Sequence, residues 1–378
     1  MRLYSFTRLF TALLLLLSIS SFAQKVDLDR FYFEVGYLTL PREFIDPTDR
    51  SYGVRVNVAP SVVRLMPPID VYNQIQLSGF GKVENRPTVG ITINFNAVRF
   101  EKSETKTRTE ERKDREGKVI ETITYYANEL TYSALGGYQI TGPRDNTKSE
   151  QRQEVKKQTE VSSNRFLQNA NLQSGYTGKQ IDFGTFPSTM MQRTKEFRNL
   201  ADLNRYAKEN KESIMIELLA GYVQNGINTA NQSLNRWYGY VPYTGRDFLW
   251  ILDSKSHPEY PIQQEAIKAI KELGKQMSAT ESLDRLEQNL QPVMAYFQDL
   301  KTKFPGSDKR EQKMRYSVFY NLANLYYLLD RPDQAIEEAN GLIKNGYDTK
   351  DGERFLEQAD QLKKDLVKHK LETRHMAL

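Results

Sequence analysis

The side chains best suited to chemistry by type and spacing are aromatic. Trp237, Tyr238, Tyr240, Tyr243, Phe248 and Trp250 crowd one short stretch, which holds both tryptophans of the chain. Rings at this density are able to stack a sugar or grip a peptide. They serve equally as a satellite core that locks a loop between helices, and Trp and Tyr are more often buried than displayed. The three histidines offer less. His257 precedes Pro258 in a polar stretch and reads as an exposed loop residue. His369 and His375 lie in a basic C-terminal tail, where charge complementarity with a helix end accounts for them. There is no cysteine. Disulfides, Cys-zinc sites, iron–sulfur clusters, thiol catalysis and a lipidated Cys are therefore excluded. Phosphate loops, nucleophile elbows, zinc-protease helices and EF-hand loops have no match. Gly79-Phe80-Gly81 is a strand end, and Asp46, Asp49 and Asp70 sit in Pro-rich turns where Asp does turn chemistry. No catalytic residue, metal site or cofactor is expected, and the chain reads as non-enzymatic.

The elements that would position these residues fall into two classes. A length of 378 residues allows two or three domains at roughly 150 residues each. From about 28 to 140 the apolar period is two. Phe31-Tyr32-Phe33-Glu34-Val35-Gly36-Tyr37-Leu38 is a dense aromatic and β-branched run. Val54, Val56 and Val58 alternate with Arg55 and Asn57, and Val89, Ile91, Ile93 and Phe95 alternate with Gly90, Thr92 and Asn94. This is the signature of half-buried strands. A charged stretch with Thr105, Thr107 and Thr109 on one face turns at Glu116-Gly117 and returns through Val119–Leu130. It predicts a long two-stranded hairpin, about 101–130, projecting beyond the sheet, with mixed charge that opposes edge aggregation. Turn signals about every dozen residues point to an antiparallel β-sandwich-like domain over 24–186. Its polar linker, 143–164, is rich in Lys and Gln. Helical periodicity follows over 187–378, first in Ile214, Ile216, Leu218, Leu219 and Tyr222. The fold class is α+β with two domains.

Residues 1–23 read as a signal peptide: Arg2 and Arg8 in front, the Leu13–Leu17 run in the middle, and Ser21 and Ala23 before a cut at Gln24. The apolar run falls short of the ~20 residues a spanning helix needs, and no later segment crosses a membrane as a helix. The net charge of +5 drops to +3 without Arg2 and Arg8. That is too mild for a dedicated nucleic-acid binder, so none is expected. The ending Ser-Phe-Ala-Gln resembles signal peptides common in Bacteroidota. An exported chain without cysteine suits a Gram-negative envelope, in the periplasm or at the outer-membrane periphery.

Over 260–346 apolar residues recur at helical spacing, and a charged helix at about 350–371 has the character of a cap. Phe319, Leu322, Ala323 and Tyr326, the turn Asp330-Arg331-Pro332-Asp333, and Ala335 nine residues after Tyr326 follow the pattern of a tetratricopeptide repeat. The pair of helices at 316–346 resembles that family. Ala339, Leu342 and Tyr347 depart from it, and Phe297, Leu300 and Pro305 fit half of a second repeat. The resemblance implies stacked helical hairpins. It implies that Asn321 and Asn324 lie on the inner face, where peptide-binding members contact a partner's backbone; an amide donates and accepts, and so can hold an extended chain.

The expected function is an envelope scaffold or accessory subunit that binds a protein complex through a helical-repeat surface and meets membrane only through partners. The alternative is a glycan-binding protein with Trp237, Tyr238, Tyr240, Tyr243 and Trp250 as its platform.

Overall fold

The computed structural model describes residues 25–66, 69–144, 180–186 and 189–377. The expected signal peptide and, from residue 145 on, the polar linker lie outside them. The chain is mixed α/β, with a sheet region in its N-terminal half and helices in its C-terminal half. No helix among the described residues is long and apolar enough to cross a membrane.

Two compact units share the chain. One combines Met1–Leu40 with Val241–Leu378, and the other is Pro41–Tyr240. This corrects the boundary expected near residue 186. The 28–39 strand belongs with the C-terminal helices, and residues 187–240 belong with the sheet.

The Pro41–Tyr240 unit contains strands β2 (Ser51–Val58), β3 (Gly81–Lys82), β4 (Val89–Lys113), β5 (Val119–Thr141), β6 (Gln180–Thr185) and β7 (Thr189–Arg193). Its helices are α1 (Pro60–Val63), α2 (Val71–Gln74), α3 (Leu200–Glu209) and α4 (Lys211–Tyr238). The sheet runs β3-β2-β4-β5-β6, and β7 pairs with β5 farther along. β2 is parallel to both β3 and β4, while β4–β5, β5–β6 and β5–β7 are antiparallel. The expected antiparallel sandwich is therefore replaced by one mixed sheet with a helix on it. The alternation in β4 buries Val89, Ile91, Ile93 and Phe95, and Ile91 lies opposite Ile140. Leu219, Tyr222, Val223, Ile227, Ala230, Leu234 and Tyr238 form one stripe of α4 and share that core. A helical stripe thus does what a second sheet would have done.

β4 and β5 continue past the sheet as the expected ribbon, paired as far as Lys113 opposite Val119. Register shifts after Phe95 and Phe100 bend it. β7, a Tyr126–Phe197 bridge and an Arg108–Glu196 ion pair at 2.9 Å support its base. At the tip Asp114 accepts from the N–H groups of Glu116 and Lys118, each at 2.9 Å, and Gly117 takes the left-handed conformation.

The other unit pairs β1 (Leu28–Thr39) with β8 (Val241–Leu252) antiparallel along their full length. Helices α5 (Tyr260–Gly274), α6 (Asp284–Lys303), α7 (Lys309–Leu328), α8 (Pro332–Asn345) and α9 (Thr349–His369) follow, each packing on the next. Phe33, Val35, Leu249 and Ile251 form the sheet side of a core completed by Ile267, Ile270, Leu290, Phe297 and Leu322. α8 and α9 touch closely at Gly352. A Cβ there would come within 2.8 Å of the Ala339 carbonyl oxygen and 3.0 Å of the Ile343 nitrogen.

Replacing glycine inside an exposed helix adds about 1 kcal/mol of stability. Gly352→Val is expected to do the reverse, because its Cβ alone would meet the Ile343 side chain at 2.7 Å and, beside it, the Ala339 carbonyl oxygen and Ile343 nitrogen, backbone atoms that cannot swing aside. Thermal or urea unfolding should show a loss of about 1–3 kcal/mol; an unchanged midpoint would mean that α9 shifts freely.

Candidate functional site

Asn321 and Asn324 lie one turn apart on α7, and the structure shows what they hold. Asp308 caps the helix by accepting from Arg310 N at 2.9 Å and Glu311 N at 3.3 Å. The inward stripe then runs Met314, Ser317, Val318, Asn321, Leu322 and Leu325, all buried. Asn321 is 0% exposed and Asn324 2%. The Trp250 N–H donates to Asn321 Oδ1 at 2.8 Å, and Asn321 Nδ2 donates to the Trp250 carbonyl at 2.8 Å. Asn324 Nδ2 donates to the Phe248 carbonyl at 3.1 Å. The two amides hold an extended strand, but it is the protein's own β8 and not the chain of a partner.

The same edge continues under α5. The Leu252 N–H donates to Gln263 Oε1, and Gln264 Nε2 donates to the Leu252 carbonyl at 3.1 Å. Alternate residues of an antiparallel pair turn their backbone groups outward. Side-chain amides from two helices meet those of residues 248, 250 and 252. Gln263 and Gln264 were not singled out from the sequence. Gln263 sits three and four residues before Ala266 and Ile267, within the helical stripe, and a buried amide there needs a polar partner.

Rings pack around this ladder. Phe248 stacks on Tyr320 at 5.3 Å and Tyr320 meets Phe355 edge-on at 5.0 Å. The Arg30 guanidinium lies 4.8 Å from the Phe248 ring and 5.3 Å from Trp250. Burial pushes the Tyr320 hydroxyl up to about 12, although the Arg354 contact opposes it. Tyr316 donates to Asp351 Oδ2 at 2.5 Å, and burial first, then that carboxylate, raise its hydroxyl.

The aromatic residues expected to form a platform are divided between the units. In Pro41–Tyr240, Tyr238 and Tyr240 are buried, and Trp237 Nε1 donates to Asp182 Oδ2 at 3.0 Å. Arg42 and Arg144 lie 5.2 and 5.5 Å from the Trp237 ring. The Tyr238 hydroxyl donates to the Pro143 carbonyl at 2.6 Å, and Arg50 lies 4.1 Å from the Tyr240 ring. In the other unit, Tyr243 is 41% exposed beside Tyr37, its partner across the strands, and Trp250 joins the cluster on α7. Neither unit presents these rings as one face.

Asp182 organises the Trp237 end. One of its oxygens accepts from Ser233, from Trp237, and from Arg236 at 3.3 Å. Burial alone would raise its carboxyl; the hydroxyl, the indole and the guanidinium outweigh burial and hold it below its ordinary value. On the uncovered face of the sheet a groove of about 730 Å³ is lined by Arg55, Thr92, Thr141, Glu84, Asn85 and Tyr72, among others. These groups can hydrogen-bond a polar ligand.

All three histidines are buried, which corrects the exposed reading of His257 and the helix-end reading of His375. His257 Nδ1 accepts from Glu259 N at 3.2 Å, which places its proton on the other nitrogen. Burial lowers its pKa, with Glu259 opposing. His375 lies between the carbonyls of Ser278 at 2.8 Å and Leu328 at 3.2 Å, and burial lowers it too. Beside it Arg374 Nε pairs with the buried Asp330 at 2.6 Å, and the Arg374 carbonyl accepts from Leu38 N at 2.9 Å. His369 is buried in the last turn of α9. Among the described residues no cluster of His, Asp and Glu is arranged to hold a metal ion.

No family model matches the chain, and no curated protein does.

Asn321→Ala should leave a buried N–H and a buried carbonyl of Trp250 unpaired, at about 1–3 kcal/mol for each such group. Chemical unfolding measures the loss, and a change below about 0.5 kcal/mol would show that water replaces the amide. His257 and His375 give a pH dependence. Their folded pKa values lie below the unfolded value of about 6.5, so the unfolded chain binds more protons through that region. Stability is present above it and lost as pH falls below it. Calorimetry between neutral and mildly acidic pH should show a falling midpoint; a flat profile would contradict the lowered values of His257 and His375.

Proposed function

We propose that this protein is a non-enzymatic scaffold or accessory subunit that binds other proteins, exported to the periplasm or outer-membrane periphery of a Gram-negative bacterium. A tetratricopeptide-like character for α7 and α8 is part of the proposal. Ala323 and Ala335 are fully buried, and a Cβ on Gly341 would meet the Phe319 ring, so small residues bring these helices together. Successive helices packing each on the next are what repeat arrays require.

The observation that carries the reading is the distal β4–β5 ribbon. The Asn321–Asn324 face already holds β8, so the surface left for a partner is elsewhere. From Lys106 to Lys113 on one strand and from Val119 to Thr122 on the other, every side chain is exposed. Val119 is 42% exposed and Ile120 65%, close to Arg112, Lys113 and Glu121. Apolar groups within a charged arm provide both the area and the steering that a protein contact uses. The saccharide alternative asks for an aromatic platform. Its rings are divided between the units, with Tyr238 and Tyr240 buried, so protein binding is preferred.

The test is a variant in which Arg112–Glu121 is replaced by Asn-Gly, a turn that closes a hairpin between Glu111 and Thr122, which face each other. Affinity capture from detergent-solubilised envelopes should enrich a partner on the full chain and lose it on the shortened one, with circular dichroism unchanged. A full chain that elutes with no other protein, or a partner indifferent to the deletion, would reject the proposal.

A further inference from the structure

Strand β2 has one open edge. In Pro41–Tyr240 its residues Gly53, Arg55 and Asn57 face β4, as the bond from Ala59 N to the Phe95 carbonyl at 2.8 Å continues to show. Tyr52, Val54, Val56 and Val58 therefore face the other way. There β3 pairs only with Ser51 and Tyr52, ending at the bond from Val83 N to the Tyr52 carbonyl at 2.8 Å. The N–H and C=O groups of Val54, Val56 and Val58 have no hydrogen-bond partner among the described residues. The valine side chains are half-buried on the core, and Arg55 and Asn57 are exposed on the opposite face. Inside this stretch none of the usual guards of an open edge is present: no lysine, no proline and no bulge.

We propose that this edge pairs with the same edge of a second copy, antiparallel about a two-fold axis through Val56, joining two sheets into one. The edge is self-complementary. It is bounded equally on both sides of Val56: at Tyr52 the carbonyl is already bonded to β3, and at Pro60 there is no N–H. With Val56 on the axis, Val54 exchanges backbone bonds with Val58 of the other copy, and the valines of both copies share one face. On the polar face Arg55 comes opposite Asn57 of the other copy. The competing registers are poorer. Centring on Val58 sets Val56 against Pro60, which cannot donate. Centring on Val54 sets Val56 against Tyr52, whose carbonyl is taken. Centring on Arg55 or on Asn57 uses the same outward groups but forms two bonded pairs instead of three, Val54 with Val56 or Val56 with Val58, and the Arg55 register also sets two guanidinium groups together. An isologous contact of this kind closes as a dimer and leaves no edge to propagate.

Sedimentation equilibrium on the full chain tests it, with substitutions at the exposed Asn57, whose own contact is a 2.8 Å hydrogen bond from Nδ2 to Asn94 Oδ1. Asn57→Ala removes that bond without adding charge and serves as the reference. Asn57→Arg sets like charges opposite Arg55 twice per dimer and should weaken association about tenfold relative to the reference. Asn57→Glu sets opposite charges there and should tighten it, less so at high salt. A wild-type chain that stays monomeric over the accessible range overturns the proposal, even if a foreign peptide binds the edge. So does a dimer that Asn57→Arg and Asn57→Glu leave unchanged or shift in the same direction.

Discussion

A strand at the rim of a sheet must find partners for its outward N–H and C=O groups, and β8 finds them in side chains. Asn321, Asn324, Gln263 and Gln264 act as a substitute strand, offering donor and acceptor where a neighbouring backbone would. This constraint fixes more than the edge. It sets the rotation of α7 about its axis, because two amides one turn apart must both reach the strand. It sets the height of α5, whose two glutamines meet the next outward residue. Once β8 is seated, Leu249 and Ile251 face the helical core, and β1 is carried with it through full-length pairing. The satisfaction is incomplete in one place: Gln263 Nε2 is buried with no partner among the described residues. An orphaned amide proton of this kind costs free energy that the surrounding packing offsets.

In the Pro41–Tyr240 unit the comparable task falls to α4. Its apolar stripe covers one face of the sheet, and its polar positions tie down neighbouring segments. Asn231 and Asn235 bond the backbone of residues 74–78, and Ser233, Arg236 and Trp237 converge on Asp182 of β6. The helix that closes the core thus also fixes the 74–78 segment and strand β6.

Local periodicity made part of this legible. The alternation of Val89, Ile91, Ile93 and Phe95, the threonine-spaced arm with its turn at Gly117, and the helices after residue 260 are all properties of short windows. Pairing between distant windows is not. The Phe31–Leu38 run reads as a strand, but nothing in it says that its neighbour is Val241–Leu252, which the crowding of rings had marked as a loop or platform. The boundary near residue 186 failed for the same reason. Ile214, Leu219 and Tyr222 read correctly as a helical face, yet whether that face meets a sheet or another helix is decided by tertiary structure. At the candidate site, the type and position of Asn321 were readable, and so was its ability to hold an extended chain. That the chain held is its own strand required the fold. The histidines erred through a polar neighbourhood: His257 has charged sequence neighbours and a buried ring, because Phe304 packs against it from another element.

The discontinuous unit has a consequence for how the molecule comes into being. Pro41–Tyr240 is an uninterrupted stretch, whereas β1 comes first in the chain and its mate only after that whole stretch. Through that interval Phe31, Phe33 and Val35 belong to an orphan ribbon rich in sticky rings, the kind of sequence that pairs promiscuously in a nascent chain. The last link arrives later still, when Arg374 locks onto Asp330 and its carbonyl clasps Leu38. The earliest described segment therefore cannot be fully secured until the last residues of the chain have followed it.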